Sequence, residues 1–558
     1  MVRNFLAHEE LYVHLIAIIA ILLASRWPLF GNAFLTRIES IAARLAIHQS
    51  AVIFATALAV IAIRVALLPF IRIPYPMGHD EFSYLLAADT FAHGRLTNPT
   101  HPMWLFFDTL HVNQHPTYMS KYPPTQGAVL ALGQLLGHPW IGVLVSTAAM
   151  CAAIAWMLYA WLPPRWAFLG SLLFILQIGL DSYWMNTYWG GSIAALAGAL
   201  VAGALPRIRR NPRARDAILM AIGVALLANS RPFEGAIFCI PVAAALLVWL
   251  FARRRRDLPF SVKMSRVVAP LAAILALTAA FMLYYDWRVT GHPLLFPYSL
   301  NQKTYFSTPI FLFQNAQPPR QYLNPEFLAY YGVFERNMYE KMRHHPFGGE
   351  RLSAMYEFFL RPALEFPLVL ALPWLIRDRR IRFLLLQFAL CFLAFFSTVW
   401  LEPHYVAAIS GTLFVLVAQS MRHVRHWRHN SRPIGIGITR AVVTISAIMF
   451  CLHVAKSIVE SKHADFAHSQ WGIAQQIEQT PGYHLAIVRY APDHIVHHEY
   501  VYNRADIDFS RVVWARDIPG VDLGPLLYYF RGRDVWVVEP DAEPVRLSKF
   551  QGTTPPNP

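Results

Sequence analysis

Charge is what this sequence has least of. Of its 558 residues only 15% are Asp, Glu, Lys or Arg, while 56% are hydrophobic. Soluble chains carry about 25% charged residues, so a soluble globular fold of this length is excluded. Cysteine is scarce as well. The four cysteines (Cys151, Cys239, Cys391, Cys451) all lie inside apolar runs. They have no metal-ligand spacing and do not make a disulfide framework; they read as small hydrophobes. No internal repeat is present. The C-terminal tail lacks a GxGxxG or P-loop, so nothing there is built to cradle a nucleotide phosphate.

What is present is a series of apolar runs near the length of about 20 residues that crosses a bilayer. They fall at 11–28, 51–70, 140–161, 166–181, 191–205, 216–229, 233–251, 267–285, 363–376, 382–401, 404–421 and 439–457. The formal net charge of +15 is concentrated in short links between them: PRIRRNPRAR (206–215), ARRRRDLPFSVKMSR (252–266), RDRRIR (377–382) and RHVRHWRHNSR (422–432). A basic run can bind nucleic acid, but each of these abuts an apolar run, as cytoplasmic loops do under the positive-inside rule. No nucleic-acid partner is expected; the bilayer is. Glu9 and Glu10 precede the first apolar run and no small-residue cleavage site follows it, so it reads as a retained span. The expected fold is an α-helical polytopic membrane protein of about 12 spans, residues 1–461, with a small C-terminal α/β extracytoplasmic domain, residues 462–558.

With the arginine-rich links inside, alternation puts 71–139, 182–190, 230–232, 286–362 and 458–558 outside. In the first of these, DEFSYLLAADTFAH (80–93) has a helical pattern with Phe82, Leu85, Leu86 and Ala88 or Asp89 to one side, and Gly94 is a natural stop. The run 126–137 is too short to span and suits the membrane interface. The second long loop, 286–362, shows no simple period. The tail alternates helix (466–479), strands (484–490, 534–541) and a short helix (522–530), a pattern of α/β type. Its last residues, GTTPPNP, read as a frayed end.

The polar residues that could carry chemistry gather on the outer side. Asp80 and Glu81 open the helical segment. An Asp there suits an N-cap and a Glu the first turn, and a carboxylate on a rigid helix start also suits a general base. Lys121-Tyr122-Pro123-Pro124 closes the same loop, its prolines imposing an extended chain. Lys121 there either snorkels or meets a lipid phosphate. Arg231 and Glu234 occupy a very short turn, where they pair with each other at i, i+3 or face a polar cavity. Glu402-Pro403-His404-Tyr405 and DSYWMNTYWGG (181–191) are further outer turns. His79, His93, His101, His111 and His115 crowd the first loop and raise the question of a divalent metal, but no pair has HExxH spacing. They read as loop or interface histidines, and no cofactor is assigned.

The acidic pair in the first outer loop, the KYPP element closing it, the many spans and the outer tail resemble the GT-C glycosyltransferases. The chain is similar to dolichyl-phosphate-mannose protein mannosyltransferases, lipid A aminoarabinose transferases and the RgtA/B/C/D-like bacterial group. The resemblance covers the architecture of the first 460 or so residues. It implies a polyprenyl-phosphate-linked sugar as donor, inverting transfer on the extracytoplasmic face of a bacterial inner membrane, and a glycan, lipid or protein of the cell envelope as acceptor. Residue by residue, it implies that Asp80 is the catalytic carboxylate and Glu81 its acidic neighbour. Lys121, with Tyr122 and Arg231, would bind the donor phosphate; Glu234, His404 and Tyr405 would bind substrate. The crowded histidines depart from the aminoarabinose transferases, so their acceptor is not carried over. A transporter or flippase of lipid-linked sugars is the main rival, although such proteins show paired repeats and ionisable groups at the membrane midplane.

Overall fold

A computed structural model of the chain describes residues 2–252, 258–463 and 469–551. The arginine run at 253–257, the start of the 466–479 helix and the terminal GTTPPNP lie outside the described residues.

The chain is mostly helical, and each predicted apolar run is helical through its centre. Among the described residues six helices are long and apolar enough to cross a membrane: Gln49–Leu67, Pro139–Trp161, Gly191–Arg210, Pro232–Phe251, Phe260–Thr290 and Ile434–Lys462. The chain is a multi-pass membrane protein. The other apolar helices, among them Tyr12–Arg26, Pro164–Gly179 and Arg382–Phe395, are shorter than the roughly 20 residues that span unaided, so length and composition alone mark six candidate spans where about twelve were expected. The predicted run 382–401 shows why. Its helix stops at Phe395, and the following residues turn away so that Thr398 bridges to Phe311 and Trp400 donates to Glu335 at 2.9 Å.

Pro139–Trp161 and Gly191–Arg210 are the innermost spans, most of each being buried within the protein. Small side chains permit that closeness. At Gly198 a Cβ would lie 2.1 Å from the Ala408 carbonyl oxygen. Phe260–Thr290 and Ile434–Lys462 are the reverse, with only 6% of the most apolar stretch of each buried within the protein, as suits helices facing lipid.

In the first outer segment the helix runs His79–Ala92, one residue earlier than expected, and Gly94 follows it with φ +71. It is buried nearly all round rather than on one side. Helix Pro124–Leu135 packs on one flank, a small sheet of Asn98–Pro99, Thr117–Ser120 and Val112–Asn113 lies nearby, and the C-terminal tail covers it. Leu132, Leu135 and Leu136 of the Pro124–Leu135 region point outward and exposed, in keeping with an interfacial position.

The tail contains a four-stranded sheet in the order Val512–Arg516, His484–Val488, Asp534–Glu539, Arg546–Lys549, the first three parallel and the last antiparallel. Its two parallel strands Val512–Arg516 and His484–Val488 are buried at every residue, as strands covered on both faces are. Residues 500–508 form no strand. They lie instead on the first outer segment: the Tyr502 ring stacks on Phe82 at 4.4 Å, the Ala505 amide donates to Asp89, and Arg95 forms a two-pronged bond to Asp506 at 2.8 and 2.9 Å.

One buried ion cluster ties the tail to the second outer loop. Arg516, fully buried, donates to Glu499 at 2.5 Å and contacts Glu326 at 3.2 Å. Removing the cation from two buried carboxylates leaves them uncompensated, a change worth about 3–5 kcal/mol. Arg516→Ala should lose stability on that scale in chemical unfolding of the detergent-solubilised protein, and Arg516→Met combined with Glu499→Gln should lose much less.

Candidate active site

The site begins with the start of the His79–Ala92 helix. The first amides of a helix lack intrahelical acceptors, and here Glu81, not Asp80, supplies one. Glu81 Oε2 accepts from the Met77 and Gly78 amides at 2.9 and 3.0 Å, and its Oε1 accepts from the Tyr188 amide at 3.1 Å. The bond from Gly78 is the returning half of a capping box, and the bond from Met77 extends it by one residue. The third joins the helix to the turn that also holds Asp181 and Asn186. Burial raises the Glu81 carboxyl above its ordinary range, against the three amides that favour its anion. All its contacts are to backbone, so Glu81 sets the geometry of its neighbour.

Asp80 is thereby left free for other work. Its Oδ1 takes a 2.5 Å bond from His111 Nδ1 and another from the Tyr122 hydroxyl. Burial pushes the Asp80 carboxyl up, but the bonds from His111 and Tyr122 and the charge of Lys121 outweigh it and hold the group well below the usual carboxylate range. Burial first, then Lys121, brings His111 down to about 4. Near neutral pH the imidazole is therefore uncharged, donating from Nδ1 to Asp80 while Nε2 accepts from the Tyr330 hydroxyl at 3.1 Å. His111 adopts φ +64, a left-handed conformation that few residues other than glycine accept. Strain of this kind persists where surrounding structure enforces it; here it aims the ring at Asp80.

Tyr122, which bonds Asp80, also borders a cavity of about 350 Å³ lined mostly by apolar side chains; Asp80 itself is not part of that lining. The cavity walls come from the KYPP element, the first turn of Pro232–Phe251, the C-terminal end of Phe260–Thr290 and the 286–362 loop. Lys121 lies in it, 97% buried, with its ammonium 5.0–5.2 Å from the rings of Tyr122, Tyr298 and Phe306. No hydrogen-bond acceptor reaches it among the described residues. Burial lowers its pKa to about 8, with the Asp80 and Glu335 carboxylates holding it from falling further. Arg231 also lines the cavity, its guanidinium 4.3 Å above the Tyr405 ring. Arg231 and Glu234 do not form the i, i+3 ion pair; both line the cavity instead.

The expected residues thus converge with differentiated parts. Lys121, Tyr122, Arg231, Glu234 and Tyr405 border the cavity. The Tyr122 hydroxyl is committed to Asp80 rather than to the cavity. His404, buried, takes a 3.0 Å bond with the Tyr183 hydroxyl and stands behind Tyr405. Of the five histidines, His93, His101 and His115 pair with Asp89, Asp508 and Trp104, whereas His111 belongs to the site. Among the described residues no group of three His, Cys, Asp or Glu side chains is placed to hold a metal ion. Glu335 escaped the sequence reading. It is buried on the cavity wall, anchored by Trp400, and adds a second carboxylate near Lys121. Only its place in an aperiodic loop marked it, which is no signal.

No family model matches the chain, and no curated protein matches it. Among solved structures it is similar to ArnT from Cupriavidus metallidurans in the apo state, with 14% identity, 89% of this chain and 93% of that one covered, and a TM-score of 0.48. The same ArnT bound to undecaprenyl phosphate gives 14% identity, 88% and 92% coverage and a TM-score of 0.46. An Archaeoglobus fulgidus oligosaccharyltransferase tethered with an acceptor peptide gives 11% identity, 80% and 62% coverage and a TM-score of 0.43.

The role given to Glu81 has a direct test. Glu81→Ala strands three amides in a site with little water. At roughly 1–3 kcal/mol for each unsatisfied buried group, with part recovered by water, the net loss should be about 3 kcal/mol. Hydrogen exchange should localise the opening to 77–82 and 186–190.

Proposed function

We propose that the protein is an inverting glycosyltransferase that moves a sugar from a polyprenyl-phosphate donor to a hydroxyl of a cell-envelope glycan, lipid or protein on the extracytoplasmic face. The observation that carries this reading is the pair of cations in an apolar cavity next to an anionic carboxylate. Lys121 is held among rings with no acceptor of its own, and Arg231 stands in the same cavity. Buried cations require a counter-charge, and a lipid-borne phosphate supplies it while its chain follows apolar walls built from the ends of two spans. The donor remains in the membrane, so no nucleotide fold is needed.

In the reaction the acceptor oxygen attacks the anomeric carbon from the side opposite the phosphate. The carbon–oxygen bond to the phosphate breaks, the electron pair leaves with the phosphate, and Lys121 and Arg231 stabilise the charge that develops there. The acceptor proton passes to Asp80, whose Oδ2 is not taken by His111 or Tyr122. A single displacement inverts configuration and needs one base. A carboxylate so far below its ordinary range is a weak base toward a free hydroxyl. It suffices once the attacking oxygen has begun to bond to carbon and become acidic, and His111 and Tyr122 hold it in place for that moment. Glu81 is a positioning residue in this scheme, His404 supports Tyr405, and the tail forms the wall over the helix that bears Asp80. His497 reaches the edge of that wall, its ring 5.8 Å from His79.

Asp80→Asn should lower transfer by about 10²–10⁴-fold with little change in thermal stability, in an assay of purified protein with a polyprenyl-phosphate sugar. Full activity in that variant excludes Asp80 as the base. Translocation of the lipid-linked sugar with no new glycosidic product would favour the transporter. The pH dependence has a defined sign. Asp80 is anionic throughout the neutral range and Lys121 must be protonated, so activity should be level near pH 6–7 and fall as pH rises through about 8. Lys121→Arg, which keeps its charge, should remove that alkaline fall in whatever activity it retains.

A further inference from the structure

A second cavity, of about 300 Å³, lies at the ends of Pro139–Trp161, Gly191–Arg210 and Ser410–Arg425, and the proposed reaction does not use it. Helix Ser410–Arg425 begins near Tyr405 and ends at this cavity, which Gln419 and Arg422 line. Arg210, from the last turn of Gly191–Arg210, and Arg380, from the 378–381 link, complete its polar wall. Tyr159 and Trp161, at the end of the span Pro139–Trp161, supply aromatic faces.

Three arginines therefore meet in one cavity whose lining contains no acid. The carboxylate nearest in sequence, Asp378, is already spent: it accepts from the Gln419 amide at 2.6 Å, from His423 at 3.2 Å and from the Arg380 backbone amide at 3.0 Å. Cations at helix C-termini are favoured by the helix dipole, and that accounts for Arg207, which donates to the Gly203 and Trp156 carbonyls and stacks on the Trp156 ring at 3.8 Å. Arg210, Arg380 and Arg422 are different. Their side chains have no hydrogen-bond or ion-pair partner among the described residues. Three arginines lining one cavity beside Tyr159 and Trp161, two of them exposed, match a phosphate at headgroup depth, since forked N–H donors suit its oxygens and basic pockets between membrane helices take anionic head groups.

We infer that this cavity binds the phosphate group of an anionic lipid of the leaflet opposite the proposed active site, held by Arg210, Arg380 and Arg422. The inference stands independently of the glycosyltransferase reading.

The test uses the full chain in nanodiscs of phosphatidylglycerol and phosphatidylcholine in equal amounts, released for native mass spectrometry, with thermal shift by inorganic phosphate in detergent as a second arm. The wild type should retain phosphatidylglycerol in preference to phosphatidylcholine. At about 1 kcal/mol per cation, or roughly fivefold, each of Arg210→Gln, Arg380→Gln and Arg422→Gln should weaken retention by that factor. A control triple, Arg266→Gln, Arg428→Gln and Arg432→Gln, removes the same charge from exposed positions outside the cavity and should retain the lipid. Stabilisation by inorganic phosphate that is lost in the cavity variants, with no retained lipid, would keep the site and assign it to a free anion. Equal behaviour of wild type and cavity variants in both arms, or equal loss in the control triple, overturns the proposal.

Discussion

Three backbone amides converging on one carboxylate hold this site together. Glu81 binds Met77, Gly78 and Tyr188, and in doing so fixes where the His79–Ala92 helix begins. The 181–190 turn is drawn to it, because Tyr188 lies there and its hydroxyl reaches the Pro74 carbonyl. The same turn is pinned from the membrane side by Arg64, fully buried, which donates to Asn186 and to the Ile71 carbonyl at 3.0 Å each. Asp80, next along from a residue so constrained, has one direction left to face. An N-terminal first turn is also the positive end of a helix dipole, so the position favours a carboxylate that stays ionised.

From that fixed anion the electrostatics of the cavity follow. Lys121 is buried among aromatic rings whose faces attract a cation, yet no oxygen binds it. The nearby carboxylates of Asp80 and Glu335 keep it charged at a distance. A cation retained by rings and remote anions can take up a phosphate without first breaking an ion pair. Had Glu234 paired with Arg231, or Glu335 closed directly on Lys121, the donors of that cation would be occupied and would offer an incoming phosphate much less.

The sequence revealed these groups unequally, for identifiable reasons. Asp80, Lys121 and Arg231 were legible because each interrupts or borders an apolar run, where a charge is conspicuous. The strands at 484–488 and 534–539 were legible because buried parallel strands read as continuous apolar segments. Where one run ends was not, since composition cannot show that the chain leaves its helix after Phe395 and that Thr398 bridges to Phe311. His111 and Glu335 were not legible either. His111 lies in a turn and Glu335 opens the helix Glu335–His344, and the role of each depends on a partner more than 30 or 200 positions away, Asp80 for one and Lys121 for the other. Glu81 was read as a second acid, whereas its side chain turns back to the amides that precede it.

The tail adds a constraint that the membrane helices could not supply. The His79–Ala92 helix has polar residues around its circumference, and a helix of that kind does not hold its place by an apolar stripe alone. Asp89 shows how the place is held: one of its oxygens accepts from Gln134 and the other from the Ala505 amide, so helix, interfacial segment and tail share a single side chain. Phe82 stacks on Tyr502, whose hydroxyl bonds the Leu110 carbonyl one residue before His111. The unusual backbone of His111 is therefore supported from the tail side as well as from Ser83, which donates to the His111 carbonyl at 2.7 Å. The bond between His111 and Asp80 depends on contacts that span more than four hundred positions of sequence, and that explains why an acidic pair in the first outer loop is built together with a folded segment at the far end of the chain.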